Sequence, residues 1–150
     1  MDTYSTLNDY KKLEVTSTNR LKLILMVYDA AIASLKQAID SHKRNDAIKR
    51  NRFISRAQLI ISELNNALNM EQGKDISEPL SKIYYFLNRH LNEVHKDNDI
   101  HKVKQSLNIL SNLRDAWKEI SVKTEQQGLN SEKSGSDMAA NGGGLNPIYG

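Results

Sequence analysis

The residues with the widest chemical range are four histidines, His42, His90, His95 and His101. Imidazole can ligate a metal or carry a proton near neutral pH. Carboxylate-bridged metal bundles need Glu-x-x-His pairs projecting from a helix, and no such pair occurs. His90 and His95 stand five apart, which places them on different faces of a helix. Glu93 and Asp99 lie near histidines but lack a third group that would complete an acid–base constellation. The chain contains no cysteine, so thiolate nucleophiles, thiolate metal sites and disulfides are excluded. No serine sits in a nucleophile elbow, and Gly142-Gly143-Gly144 is followed by no helix that would complete a phosphate loop. The expectation is a protein with no catalytic residues, no metal and no cofactor.

A second kind of chemistry is electrostatic. Between Lys43 and Arg56 lie six basic residues (Lys43, Arg44, Lys49, Arg50, Arg52, Arg56) and one acid, Asp46, so this stretch carries +5 while the whole chain carries +3. A local patch of this kind attracts acidic partners. Its one aromatic, Phe53, belongs to an apolar stripe, and the whole-chain charge is small for a nucleic-acid binder. A solvated basic face, an acidic protein partner and, more weakly, nucleic-acid phosphates are the open readings; nucleic acid is not expected.

The scaffold that must position these groups is legible from composition. The chain has 150 residues, 39% hydrophobic, with two prolines, seven glycines and 6% aromatics. That fits one helical domain large enough to bury a core. Met1-Asp2-Thr3-Tyr4 lacks a basic segment followed by an apolar run, and the longest apolar run, Leu23 to Tyr28, is far short of the roughly 20 residues that span a membrane. A cytoplasmic protein without membrane insertion is expected.

Apolar residues recur at helical spacing in four segments. The first follows the Ser17-Thr18-Asn19 capping cluster and carries Leu21, Ile24, Leu25, Tyr28, Ile32, Leu35 and Ile39 to about Ser41. The second starts near Asn45-Asp46 and ends near Met70, with Phe53, Ile54, Ala57, Ile60, Ile61, Leu64 and Leu68 on one face; Gly73 is a capping candidate after it. The third begins at Ser77-Glu78-Pro79 and carries Leu80, Ile83, Tyr84, Leu87, Leu91 and Val94. The fourth follows Lys96-Asp97-Asn98-Asp99 and runs to about Val122 with Val103, Leu107, Leu110 and Trp117. Four similar helices with short connections predict an all-α, antiparallel four-helix bundle. The expected organisation is an N-terminal leader or lid over 1–18, the bundle over 19–123, and a flexible, disordered tail over 124–150 that holds six of the seven glycines.

Two helices carry more apolar surface than a bundle uses. A bundle helix needs an arc of somewhat over roughly 100°. The first helix adds Leu23, Met26, Val27, Ala30 and Ala33, and the fourth adds Ile109, Leu113, Ala116 and Ile120. The leader, a second copy of the chain or an apolar partner segment could cover these second faces. In the leader, Leu7 and Tyr10 stand three apart, on one side of a short helix. The open functional classes are a carrier of apolar segments and a self-associating structural bundle. A concentration-independent monomer in light scattering favours the first.

A family likeness enters on these same residues. Tyr10 to Val15, Ser17-Thr18 and Leu23-Ile24-Leu25-Met26-Val27-Tyr28-Asp29-Ala30-Ala31-Ile32 resemble the opening of the flagellin-specific export chaperones of the FliS family. Ala57 to Leu64, Leu80 with Ile83 to Leu87, and Leu110 with Leu113 to Trp117 resemble its second, third and fourth helices. Ala30 stands where the family usually has glycine, and Thr18-Asn19 replaces its usual Ser-Pro start. The resemblance implies a cytoplasmic helical bundle that binds the C-terminal segment of flagellin, prevents premature polymerisation and keeps the subunit competent for type III secretion. It implies contacts with the export gate and, in some bacteria, with a second flagellin-binding protein. It places Leu7 and Tyr10 near the binding groove, for which Leu23, Met26, Val27, Ala30, Ile109, Leu113, Ala116 and Ile120 are the candidate lining.

Overall fold

A computed structural model describes residues 17–71 and 74–142, with side chains described over 19–67 and 77–129. Four helices follow one another: α1 Ser17–Lys43, α2 Ala47–Glu71, α3 Lys74–Asp97 and α4 Ile100–Gly142. Among the described residues there is no strand. Packing is cyclic: α1 meets α2 and α4, α2 meets α3, and α3 meets α4.

Each neighbour runs antiparallel, as cross-links show. Along α1 and α4, Lys22 pairs with Glu125 at 3.2 Å and Asp29 with Arg114 at 2.9 Å, so one number rises as the other falls. Along α2 and α3, Asn65 bonds Ser81, Ser62 bonds Asn88, and Gln58 bonds His95.

The turns explain why helices stop where they do. Asn45 (φ 59°) and Asn98 (φ 58°) take the left-handed conformation that asparagine tolerates after a helix. At Asn45 the cap is complete: its amide reaches the His42 carbonyl at 3.0 Å, and that of Asp46 reaches Ser41 at 2.9 Å. The next residues start the following helices. Asp46 Oδ1 accepts from the Lys49 amide at 3.0 Å, and Asp99 Oδ1 from the His101 amide at 3.0 Å, which satisfies amides that lack helical partners.

The stripes fold inward as their spacing predicts. Tyr28, Leu35, Ile54, Ile60, Ile61, Leu87, Leu91, Val94, Val103 and Leu110 are fully buried. Ile24, Ile32, Phe53, Leu80, Ile83, Leu107 and Trp117 pack around them half-buried.

Three boundaries differ from the sequence reading. α1 begins at Ser17 rather than after Asn19. α3 begins at Lys74 rather than Ser77, so Pro79 lies inside it and leaves the Asp75 carbonyl without its helical donor. The largest change is at the fourth helix, which continues through Gly142 instead of ending near Val122. The expected tail therefore begins in helix: 124–142 is helical, and 143–150 lies outside the described residues. Among the described residues, only the first turn of the extension has contacts with α1: Ser121 is buried and Glu125 pairs with Lys22. Gly73 and the leader, with Leu7 and Tyr10, also lie outside the described residues.

Candidate functional site

The core has a polar centre. Trp117 Nε1 donates to the Tyr28 hydroxyl at 3.1 Å, and that hydroxyl also bonds the hydroxyl of Tyr84, linking α4, α1 and α3. Burial pushes the Tyr28 hydroxyl above the ordinary tyrosine value of 10.0, outweighing the bonds from Tyr84 and Trp117, which favour ionisation. A value raised in the folded state means that the neutral form is favoured by folding. Its contribution is therefore present below about pH 10 and lost as pH rises further. Urea midpoints measured at about pH 8 and about pH 11 should fall further for the parent chain than for Tyr28→Phe; an equal fall would contradict this reading.

The seam between α3 and α4 divides into two parts. Towards the α3–α4 turn it is held by polar pairs: Lys102 Nζ reaches Glu93 at 3.2 Å and Asp97 at 2.5 Å, and His90 Nε2 donates to Gln105 Oε1 at 2.7 Å. The bond from Lys102 holds the Asp97 carboxyl below its usual range, and the bond from Asp97 raises Lys102. Beyond His90 the seam turns apolar. The Phe86 ring stacks on His90 with centroids 5.0 Å apart. On α4, residues 105, 109, 113, 116 and 120 follow one another at three- and four-residue steps, so they share one flank. Ile109 and Leu113 pack half-buried against the core, Ala116 is exposed, and Ile120 is 46% exposed. Phe86 is 41% exposed. A bundle end locked by ions thus passes into an open apolar strip.

The candidate lining separates into two groups. Ile109, Leu113, Ala116 and Ile120 lie together on the α3 side of α4. Leu23, Val27 and Ala30 share a stripe with Ser34, Ala38 and Ser41, which leads to the α1–α2 turn, whereas Lys22, Tyr28 and Asp29 reach α4. Leu23 and Val27 are buried, Ala30 is half-buried, and Met26 points outward, 52% exposed. The contacts of α1 with α4 thus run through Lys22, Tyr28 and Asp29 and not through the second face. The wide apolar arc of α1 is largely consumed because that helix has two neighbours to face. On α3, Phe86 is exposed and Ile83 packs half-buried against the core; in the sequence Ile83 belongs to the core stripe and Phe86 enters only with the family likeness.

No helix among the described residues is long and apolar enough to cross a membrane. An apolar strip on a folded bundle suits the capture of another chain's apolar segment, and the class so defined is a helical-bundle chaperone. Comparison with known proteins makes the assignment specific. The chain belongs to the FliS family: the family described as "Flagellar protein FliS" matches residues 3–124. The flagellar secretion chaperone FliS of Salmonella typhimurium is 32% identical over 114 residues, covering 75% of this chain and 84% of that protein. The chaperones of the same name from Bacillus subtilis and Campylobacter jejuni are 25% and 26% identical, covering 79% and 75% of this chain and 86% and 88% of their own lengths. The family is one of chaperones and not of enzymes. The all-α bundle and the family likeness read from the sequence both stand.

Proposed function

We propose that this chain is a cytoplasmic export chaperone for flagellin. It binds the C-terminal segment of its client, prevents premature polymerisation and keeps the subunit competent for flagellar type III secretion. The observation that carries this reading is the apolar strip of Ile109, Leu113, Ala116 and Ile120 beside Phe86 on a folded bundle of the FliS family. An unfolded apolar segment orders as it binds and can lay amphipathic helices along such a strip. On α1, Met26 is the exposed member of the second face, and its share of client binding is small beside that of the α4 strip. The export gate and a second flagellin-binding protein complete the proposed set of partners.

The leader acts as a lid, with Leu7 and Tyr10 occupying a client site until flagellin displaces them. Deleting residues 1–15 should then raise both apolar-dye fluorescence and flagellin affinity, because the client no longer competes with an attached segment. Unchanged dye binding and affinity would remove the lid from the mechanism.

A further inference from the structure

The outer face of α2 lies away from the α3–α4 strip. Residues 48, 52, 55 and 59 form one stripe at steps of four, three and four. They are Ile48, Arg52, Ser55 and Leu59, all exposed, with Ile48 at 76% and Leu59 at 50%. Lys49 and Arg56 are exposed beside them, and the Arg56 guanidinium sits 5.3 Å from the centre of the Phe53 ring. Beside Leu59 an open pocket of about 410 Å³ is lined by Ser55, Gln58, Ser62 and Asn88 between α2 and α3.

The positive charge on this face is not neutralised by an ion pair among the described residues. Asp40 pairs with Arg44, Asp46 caps α2, Asp97 pairs with Lys102 and Asp99 caps α4. Lys49, Arg52 and Arg56 have no carboxylate within ion-pair distance among the described residues. Arg50, buried at the same end, meets no carboxylate among the described residues: its guanidinium bonds Asn51 Oδ1 at 3.1 Å, His42 Nδ1 at 3.1 Å and Asn98 Oδ1 at 2.5 Å. An uncompensated buried cation strengthens the local positive potential.

From this juxtaposition of three exposed cations, two exposed aliphatic side chains and an adjoining pocket, we infer that the outer face of α2 docks an acidic amphipathic helix of a second protein. Its carboxylates meet Lys49, Arg52 and Arg56, and its apolar edge lies along Ile48 and Leu59. Charge complementarity selects the acid, and the exposed aliphatics select a protein over a polyanion, since a phosphate backbone makes no use of Ile48 or Leu59. This surface is separate from the strip assigned to the client and does not rest on that assignment.

The test is fluorescence anisotropy with a labelled helical peptide of about three heptads, bearing leucine at the core positions and glutamate at the flanking ones. Binding is expected to weaken about tenfold in the Arg52→Glu/Arg56→Glu variant, about fivefold in Leu59→Ser, and about tenfold between 50 and 250 mM salt. A scrambled peptide of the same composition should bind at least about tenfold more weakly. All three substituted side chains, Arg52, Arg56 and Leu59, are exposed, so circular dichroism should confirm that the variants are folded. The inference is overturned if the scrambled peptide binds equally well, or if Leu59→Ser has no effect. It is also overturned if a short DNA duplex or anionic phosphatidylserine vesicles bind more tightly than the peptide. Flagellin affinity should be unchanged in these variants; its loss would reassign the face to the client.

Discussion

A chain carrying Ile120→Glu together with Phe86→Ser should bind flagellin about a hundredfold more weakly than the parent while keeping its thermal midpoint within a few degrees. Both side chains are part-exposed on the bundle, so their replacement removes little from the core. In the complex each would become buried. Burying a fully exposed large apolar side chain is worth about 1.5–3 kcal/mol; with under half of each surface left to cover, the two losses sum to roughly 1.3–2.6 kcal/mol, and each 1.4 kcal/mol is tenfold in affinity. Glutamate adds the cost of bringing a charge into an apolar contact. Met26→Ala, exposed on α1, should change affinity by less than about threefold, because the α3–α4 strip carries most of the binding. Calorimetric titration of flagellin into each variant checks the contrast. Equal losses at Met26 and at Ile120 would show that the client wraps both faces.

The second large effect is on stability. Leu87→Ala, in the middle of α3 and fully buried among the core side chains, should cost about 2–5 kcal/mol. Against a total of roughly 5–15 kcal/mol for a domain, that is a large share. The urea midpoint should drop sharply with little change in slope. Trp117, the single tryptophan, reports the transition directly, because its ring nitrogen is bonded to Tyr28 in the core. A loss under about 1 kcal/mol would mean that α3 can slide to fill the space, contrary to the packing described.

What the amino-acid sequence made legible, and what it did not, follows from which interactions are local. Helix periodicity and turn chemistry are local. The stripes of Tyr28 and Leu35, of Ile54 and Ile61, and of Leu87 and Val94 fold inward as their spacing requires, and Asp46 and Asp99 cap the helices they precede. The end of α4 is not local. Its extension past Val122 includes Glu125, which answers Lys22, a residue about a hundred positions earlier. The site shows the same limit. A helical wheel places Ile109, Leu113, Ala116 and Ile120 on one flank of one helix, but not against a particular neighbour. That neighbour is set by the cyclic packing, in which α4 lies between α1 and α3, and α1 between α2 and α4. Leu23 and Val27 are buried there, whereas Ile120 and, on α3, Phe86 stay exposed.

The most direct measurement is co-purification of the tagged chain with full-length flagellin and with flagellin lacking its C-terminal segment. Retention of the full-length client with loss of the truncated one is the predicted result. Equal retention of both would contradict the proposal that the apolar bundle surface receives that segment.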